Sequence, residues 1–341
     1  MRSLTKRLLY LTGLLSWYHR LRNRNQLTVV LFHRVLPDAH PEWPQADPTC
    51  TVSETVFRGC LQFFARHYTV VGLGDLLAAR EERRPLPSRP LLITFDDGWA
   101  DNEEVALRLL RQAAFPAVVF MVAGAVGERG LYGDRLRHAW RRGALDEPAC
   151  DRLWGAIARP PAPVPARWNE EKALCLLIDR LASVDEPTRA ALLEAAPGAD
   201  NSGRQPAMLS AEQLRALRAA GVDIGSHGWT HMPLSVAPDP VVELRRSKAA
   251  LEEILGHQAG PGRFALSFPY GLYTPHLVSI AQQLGYSLLF TSDQHLNSLS
   301  NRTLQARVLG RISICAADII NSSGRLRPEL LAMVLFGRPR R

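Results

Sequence analysis

"LLITFDDGWADN", residues 91–102, is an apolar run that stops on two carboxylates, Asp96 and Asp97, and then on Gly98, which permits a sharp turn. The following "DNEEVALRLLRQA" (101–113) has helical spacing with acids in its first turn, and "AVVFMVA" (117–123) returns as a strand. The rhythm recurs along the chain. "TVVLF" (28–32) and "PLLITF" (90–95) read as strands. "SAEQLRALRAAG" (210–221) reads as a helix opened by a Ser210/Gln213 capping box, and the strand "VDIGS" follows it. "VVELRRSKAALEEILG" (241–256) and "TPHLVSIAQQLG" (274–285) are helices, and "RFALSF" (263–268) and "YSLLFTS" (286–292) are strands. Repeated βα units of this kind make an α/β fold with a mostly parallel sheet, closed as a barrel or left open. In either form, functional side chains collect at the C-terminal ends of the strands.

Three such strand ends carry chemistry. Alone, Asp-Asp-Gly at 96–98 is a common turn or capping device, yet two adjacent carboxylates can also divide labour, one binding a metal and the other acting as a base. "DIGSHGWTHMPLS" (223–235) supplies His227 and His231, whose spacing lets two imidazoles converge on one ion or serve as an ordinary structural pair. No Glu lies between them, so the helical metalloprotease pattern is absent. "RFALSFPYGLYT" (263–274) places Pro269, Tyr270 and Gly271 at a third strand end, where the turn can aim a backbone N–H into a pocket. Two carboxylates and two spaced imidazoles on one rim point to a metal-assisted site more strongly than any of the turns does alone.

The chain has 341 residues, 46% of them hydrophobic and 22% charged, a globular composition. Its net charge of +8 sits at the ends: residues 1–24 carry +6 and residues 325–341 carry +4, which leaves the body close to neutral. That distribution gives no reason to expect nucleic acid as a partner. The basic residues around "LLYLTGLLSWY" (8–18) suit an amphipathic helix on an anionic membrane surface, or equally a helix packed on its own domain. The apolar stretch is about half the roughly 20 residues needed to span a bilayer. Five scattered cysteines, never closer than ten apart, form no Cys-x-x-Cys site and suit a reducing, cytoplasmic setting, where the basic tails would allow peripheral contact with the inner membrane face. Residues 127–206 interrupt the βα rhythm with two helical stretches and the proline-rich "RPPAPVPARW" (159–168). They read as a helical insertion, or lid, on one loop. The expected organisation is a basic amphipathic tail (1–25), an α/β domain (26–324) with that insertion, and a basic C-terminal tail (325–341).

At "TFDDG" (94–98), "SHGWTH" (226–231) and "FPYG" (268–271) the sequence resembles the polysaccharide deacetylases, the NodB-homology group of carbohydrate esterase family 4. The resemblance covers roughly residues 27–320. It implies a distorted (β/α) barrel and a metal-dependent hydrolase removing N-acetyl groups from aminosugars. It also implies that Asp97, His227 and His231 bind a divalent metal, that Asp96 is the base, and that the Tyr270 backbone helps hold the oxyanion. Zinc suits a His₂Asp set with open positions, and other first-row ions are alternatives.

Two departures from the family pattern shape the rest of the reading. Most members carry an acid histidine on a late strand, but "VLGRISICAAD" (308–318) has none. His33, His276 and His295 lie near strand ends, and His33 alone directly ends a continuous apolar strand. "VVLFHRV" (29–35) resembles a permuted form in which the acid-bearing strand stands first, so His33 is assigned as general acid. The arginine that orients the catalytic Asp is either Arg263 or Arg311, with Arg311 taken as the partner of Asp96. Asp293 is the nearest stand-in for the family's Asp-Trp motif. The expected substrate is an N-acetylated cell-surface glycan or its lipid-linked precursor. A lipid-linked aminosugar deformylase and a non-catalytic carbohydrate-binding or membrane scaffold are the alternatives.

Overall fold

The computed structural model describes residues 2–44, 46–157, 168, 170–182, 184–196, 208–256, 264–301, 303–304 and 306–340. Arg263 and most of the proline-rich 159–168 stretch lie outside the described residues.

Eight strands form a nearly closed barrel: β1 (Gln26–Phe32), β2 (Pro90–Phe95), β3 (Ala117–Met121), β4 (Val222–Ser226), β5 (Phe264–Ser267), β6 (Tyr286–Phe290), β7 (Val308–Leu309) and β8 (Ile312–Ser313). Strands β1 to β6 run parallel in sequence order. Residues 308–313 close the ring: β7 pairs with β6 through Leu309 and Phe290, and β8 pairs with β1 through Val30 and Ile312. Gly310 and Arg311 therefore lie in the seam. An antiparallel ribbon at Asn297–Ser300 and Thr303–Leu304 extends beyond the N-terminal part of β1.

Alternation along the strands builds two cores. Leu27 and Val29 of β1, Leu92 of β2, Val118 and Phe120 of β3 and Phe290 of β6 fill the interior. Val30, Phe32, Ile93, Phe95, Val119 and Met121 face outward beneath the surrounding helices. The helix anticipated over 101–113 begins with a π-helical turn, Asn102–Ala106, before continuing as Leu107–Ala113. Here Asn102 Nδ2 donates 2.8 Å to the His33 carbonyl, so the irregular turn ties this helix to the end of β1.

The N-terminal segment is two helices, α1 (Arg2–Leu11) and α2 (Leu14–Arg22), joined at Gly13 with φ 77°. Within the insertion the described residues form four helices where the sequence suggested two: α3 (Tyr132–Arg141), Glu147–Ile157, Glu171–Ala182 and Glu186–Glu194. Leu136, Ala139, Leu153 and Trp154 of these helices pack on one another in a small core separate from the barrel's. The expected basic C-terminal tail is instead largely helix α4 (Pro328–Phe336). Its "LLAMVLF" run buries Leu331, Leu335 and Phe336 on the barrel body, and this burial outweighs the flanking arginines. No helix among the described residues is long and apolar enough to cross a membrane.

Candidate active site

Strand register brings the site together. Phe32 lies opposite Phe95, so His33 and Asp96 emerge side by side, and Ser226 lies opposite Leu266, so His227 emerges beside Ser267. Asp96 is in phase with Leu92 of the barrel interior, so its carboxyl points into the mouth. Strict alternation would send Asp97 to the outer face with Ile93 and Phe95. A left-handed turn at Asp97 (φ 73°) and Gly98 (φ 85°) breaks that alternation. Any Cβ at Gly98 would run into Met121 Sδ, so the turn requires glycine on both counts. His231 (φ 60°) and Tyr270 (φ 57°) are also left-handed. Such backbone costs about 1–3 kcal/mol per residue and concentrates where geometry serves function.

Asp97 Oδ1 lies 3.4 Å from His231 Nε2 and 3.7 Å from His227 Nε2. One donor atom from each of these three residues lies within 4.8 Å of the others, spacing that suits a single ion. The donor set passes two further tests. His227 Nδ1–H donates 2.8 Å to the Ser267 carbonyl, which leaves Nε2 with its lone pair toward the carboxylates. Burial pushes the His231 imidazole down to about 4 against the opposing pull of Asp97, so the ring is in the neutral, ligating form near pH 7. Asp97 is itself steadied by the Trp99 indole N–H, 3.2 Å from Oδ2.

Asp96 is held differently. Arg311, 1% exposed, donates from both terminal nitrogens to its two oxygens at 2.7 Å each, and one of them also donates 2.8 Å to Ser267 Oγ. The guanidinium is fixed further by its Nε–H to the Thr291 carbonyl at 3.0 Å. Burial alone would raise the Asp96 carboxyl, but the charge of Arg311 and its hydrogen bonds outweigh it. The group is held well below the usual carboxylate range.

A cavity of about 450 Å³ opens over these groups. Four histidines line it: His227, His231, His33 at the end of β1, and His138 on α3. Of the other histidines considered for the acid role, His276 is exposed on the helix Pro275–Gln283. His295 is buried against Gly310 outside the cavity. Tyr270 stands in the turn Pro269–Gly271 with its ring 4.9 Å from that of His231. Asp293 does not line the cavity, and its backbone carbonyl accepts the Arg311 N–H at 3.0 Å.

Two groups of cavity residues escaped the sequence reading. Arg34 pairs with Asp101 at 2.8 Å and Glu42 at 3.2 Å and stacks 4.4 Å over Trp99, bracing the ring that holds Asp97. Their signal lay in the residues directly after His33 and Gly98. The insertion contributes Asp134, Arg137 and His138, facing Asp47 and Cys50. Burial pushes the Asp134 carboxyl up to about 6, with Arg137 opposing and Asp97 reinforcing the shift. No spacing rule connects these residues across the fold.

The polysaccharide deacetylase family profile matches residues 83–289, a span that includes Asp96, Asp97, His227, His231 and Tyr270 but neither His33 nor Arg311. No curated protein matches the chain in sequence. Among solved structures it is similar to the Streptococcus pyogenes deacetylase PplD in complex with acetate (18% identity, TM-score 0.55, covering 91% of this chain and 98% of that one). It is also similar to IcaB from Ammonifex degensii (19%, TM-score 0.54, 91% and 97%) and to a de-N-acetylase from Aggregatibacter actinomycetemcomitans (18%, TM-score 0.52, 84% and 94%). At these identities the likeness is one of fold.

Proposed function

Since the chain belongs to the polysaccharide deacetylase family, hydrolases of N-acetyl amide bonds in glycans, we propose that it works with a divalent ion held by Asp97, His227 and His231, on aminosugars of a cell-surface polysaccharide or its lipid-linked precursor. The observation that carries this reading is the division of labour at the end of β2. Asp97 faces two imidazoles, while Asp96 is clamped in its ionised form by Arg311. Zinc suits two imidazoles and one carboxylate, and other first-row ions fit the same donors.

When bound, the ion supplies a Lewis acid for the acetyl carbonyl and lowers the pKa of water. The chain's own residues do the rest. Asp96, kept ionised and fixed in direction, accepts the proton of the attacking water. The Tyr270 turn presents its backbone N–H toward the developing oxyanion. His33, on the neighbouring strand end, delivers a proton to the departing amine nitrogen, without which the C–N bond breaks only to a poor leaving group. The wall formed by Asp134, Arg137 and His138 meets the remainder of the sugar.

Acetate release from N-acetylated polymeric and lipid-linked aminosugars, with and without a chelator, tests the reading. Chelator-sensitive release is expected. Release of formate alone from formylated substrates would make the protein a deformylase, and no release from any substrate by metal-loaded protein would leave a binding or scaffold role.

A further inference from the structure

Helices α1 and α2 present an apolar face that nothing in the described chain covers. Leu4, Leu8 and Leu11 stand about a turn apart on α1, and Leu14, Trp17, Tyr18 and Leu21 repeat the pattern on α2. All seven are exposed, from 43% at Tyr18 to 72% at Leu4. Met333 of α4 is also exposed and shares a surface hollow with Lys6 of α1. A soluble surface rarely gathers so many large apolar side chains in one stripe.

The face cannot turn inward, because the opposite side of both helices is committed to the barrel body. Tyr10 stacks on Phe63, and the buried His19 ring stacks 4.0 Å from Phe336. Asn23 Nδ2 donates to the Phe336 carbonyl, and Arg22 donates to the carbonyls of Phe336 and Arg338. The stripe is thus held outward by a rigid mount.

Charge selects what covers it. Arg7 and Arg20 on the helices and Arg24 just beyond α2 are exposed, no acidic residue occurs before Asp38, and Asp318 is the acid that shares the hollow with Lys6 and Met333. A second copy of the same face would set cations against cations. An anionic bilayer satisfies both features, since leucines enter the acyl boundary, Trp17 and Tyr18 suit the headgroup level, and the arginines meet lipid phosphates. We propose that α1 and α2 form a docking face for an anionic lipid surface, lying in the plane of the headgroups.

Sedimentation of the full chain with phosphatidylglycerol/phosphatidylethanolamine vesicles and with pure phosphatidylcholine vesicles, at low and high salt, tests this. Binding to the anionic vesicles is expected, weakened by salt. The pair Leu8→Glu and Trp17→Glu should weaken it roughly a hundredfold, and the pair Arg20→Gln and Arg24→Gln roughly tenfold or more. Leu8→Gln with Trp17→Gln serves if the glutamates impair folding, which melting curves would reveal. The proposal is overturned if the folded wild-type chain ignores anionic vesicles, or if the apolar variants bind as well as wild type. It is equally overturned if sedimentation velocity shows a dimer that those variants dissociate, which would make the face a self-interface.

Discussion

Replacing Arg311 with methionine removes the cation that holds Asp96 while keeping most of the side chain's bulk. Arg311 is 1% exposed and donates to both Asp96 oxygens, to Ser267 Oγ and to the Thr291 carbonyl. Its loss strands a buried carboxylate, which costs about 3–5 kcal/mol of stability. Asp96→Asn strands the guanidinium instead and should cost a similar amount. The double variant removes both charges, so its cost should fall short of the sum by about 3 kcal/mol in a urea-unfolding cycle. Turnover by Arg311→Met should drop about 10²- to 10⁴-fold, the usual value of a general base.

The sign of the pH effect follows from the same contacts. In the wild type the depressed Asp96 proton affinity contributes stability above the ordinary aspartate range, and that contribution is lost as pH falls through the depressed value. Without Arg311, burial dominates and proton affinity rises, so residual activity should climb with pH. An additive cycle together with near-normal turnover would refute the reasoning.

His33→Ala should cut acetate release by about 10²- to 10⁴-fold while His295→Ala leaves it near wild type, and the reverse result would move the acid role. Asp97→Ala and His227→Ala should each abolish retained metal, read by elemental analysis after gel filtration, whereas His33→Ala should retain it. The Asp134 carboxyl is raised to about 6, above its unfolded range, so the folded state binds its proton more tightly and stability declines as pH rises from about 4 through 6. Asp134→Asn should therefore stabilise the chain at pH 7. The side chain remains 28% open, which holds the gain to about 1–2 kcal/mol. Melting curves at pH 5 and pH 7 check it, and an equal change at both values would remove Asp134 as the cause.

Local patterns were legible wherever local physics decides them. The strand Pro90–Phe95 and the Ser210/Gln213 capping box read directly because apolar runs and caps are properties of neighbouring residues. The clustering of Asp96, Asp97, His227 and His231 followed from the rule that strand ends share a rim. The Asp97 turn could not be read in the same way: alternation alone points its carboxyl away from the mouth, and only the left-handed backbone breaks that phase. Arg34 with Asp101, and α3 with Asp134 and His138, were missed because their partners lie far away in sequence. The C-terminal arginines drew attention to charge, and "LLAMVLF" between them decided the structure.

The seam at residues 308–313 ties closure of the barrel to the hold on the Asp96 carboxylate. Asp97, His227 and His231 sit at the ends of β2 and β4, inside the continuous part of the sheet, while the guanidinium of Arg311 arrives on the segment that joins β6 to β1. A molecule that opened there would keep Asp97, His227 and His231 together and lose the clamp on Asp96. On the proposed reading, mild denaturation should then yield a species that retains its ion but is silent, which would make metal content alone a poor measure of how many molecules are competent.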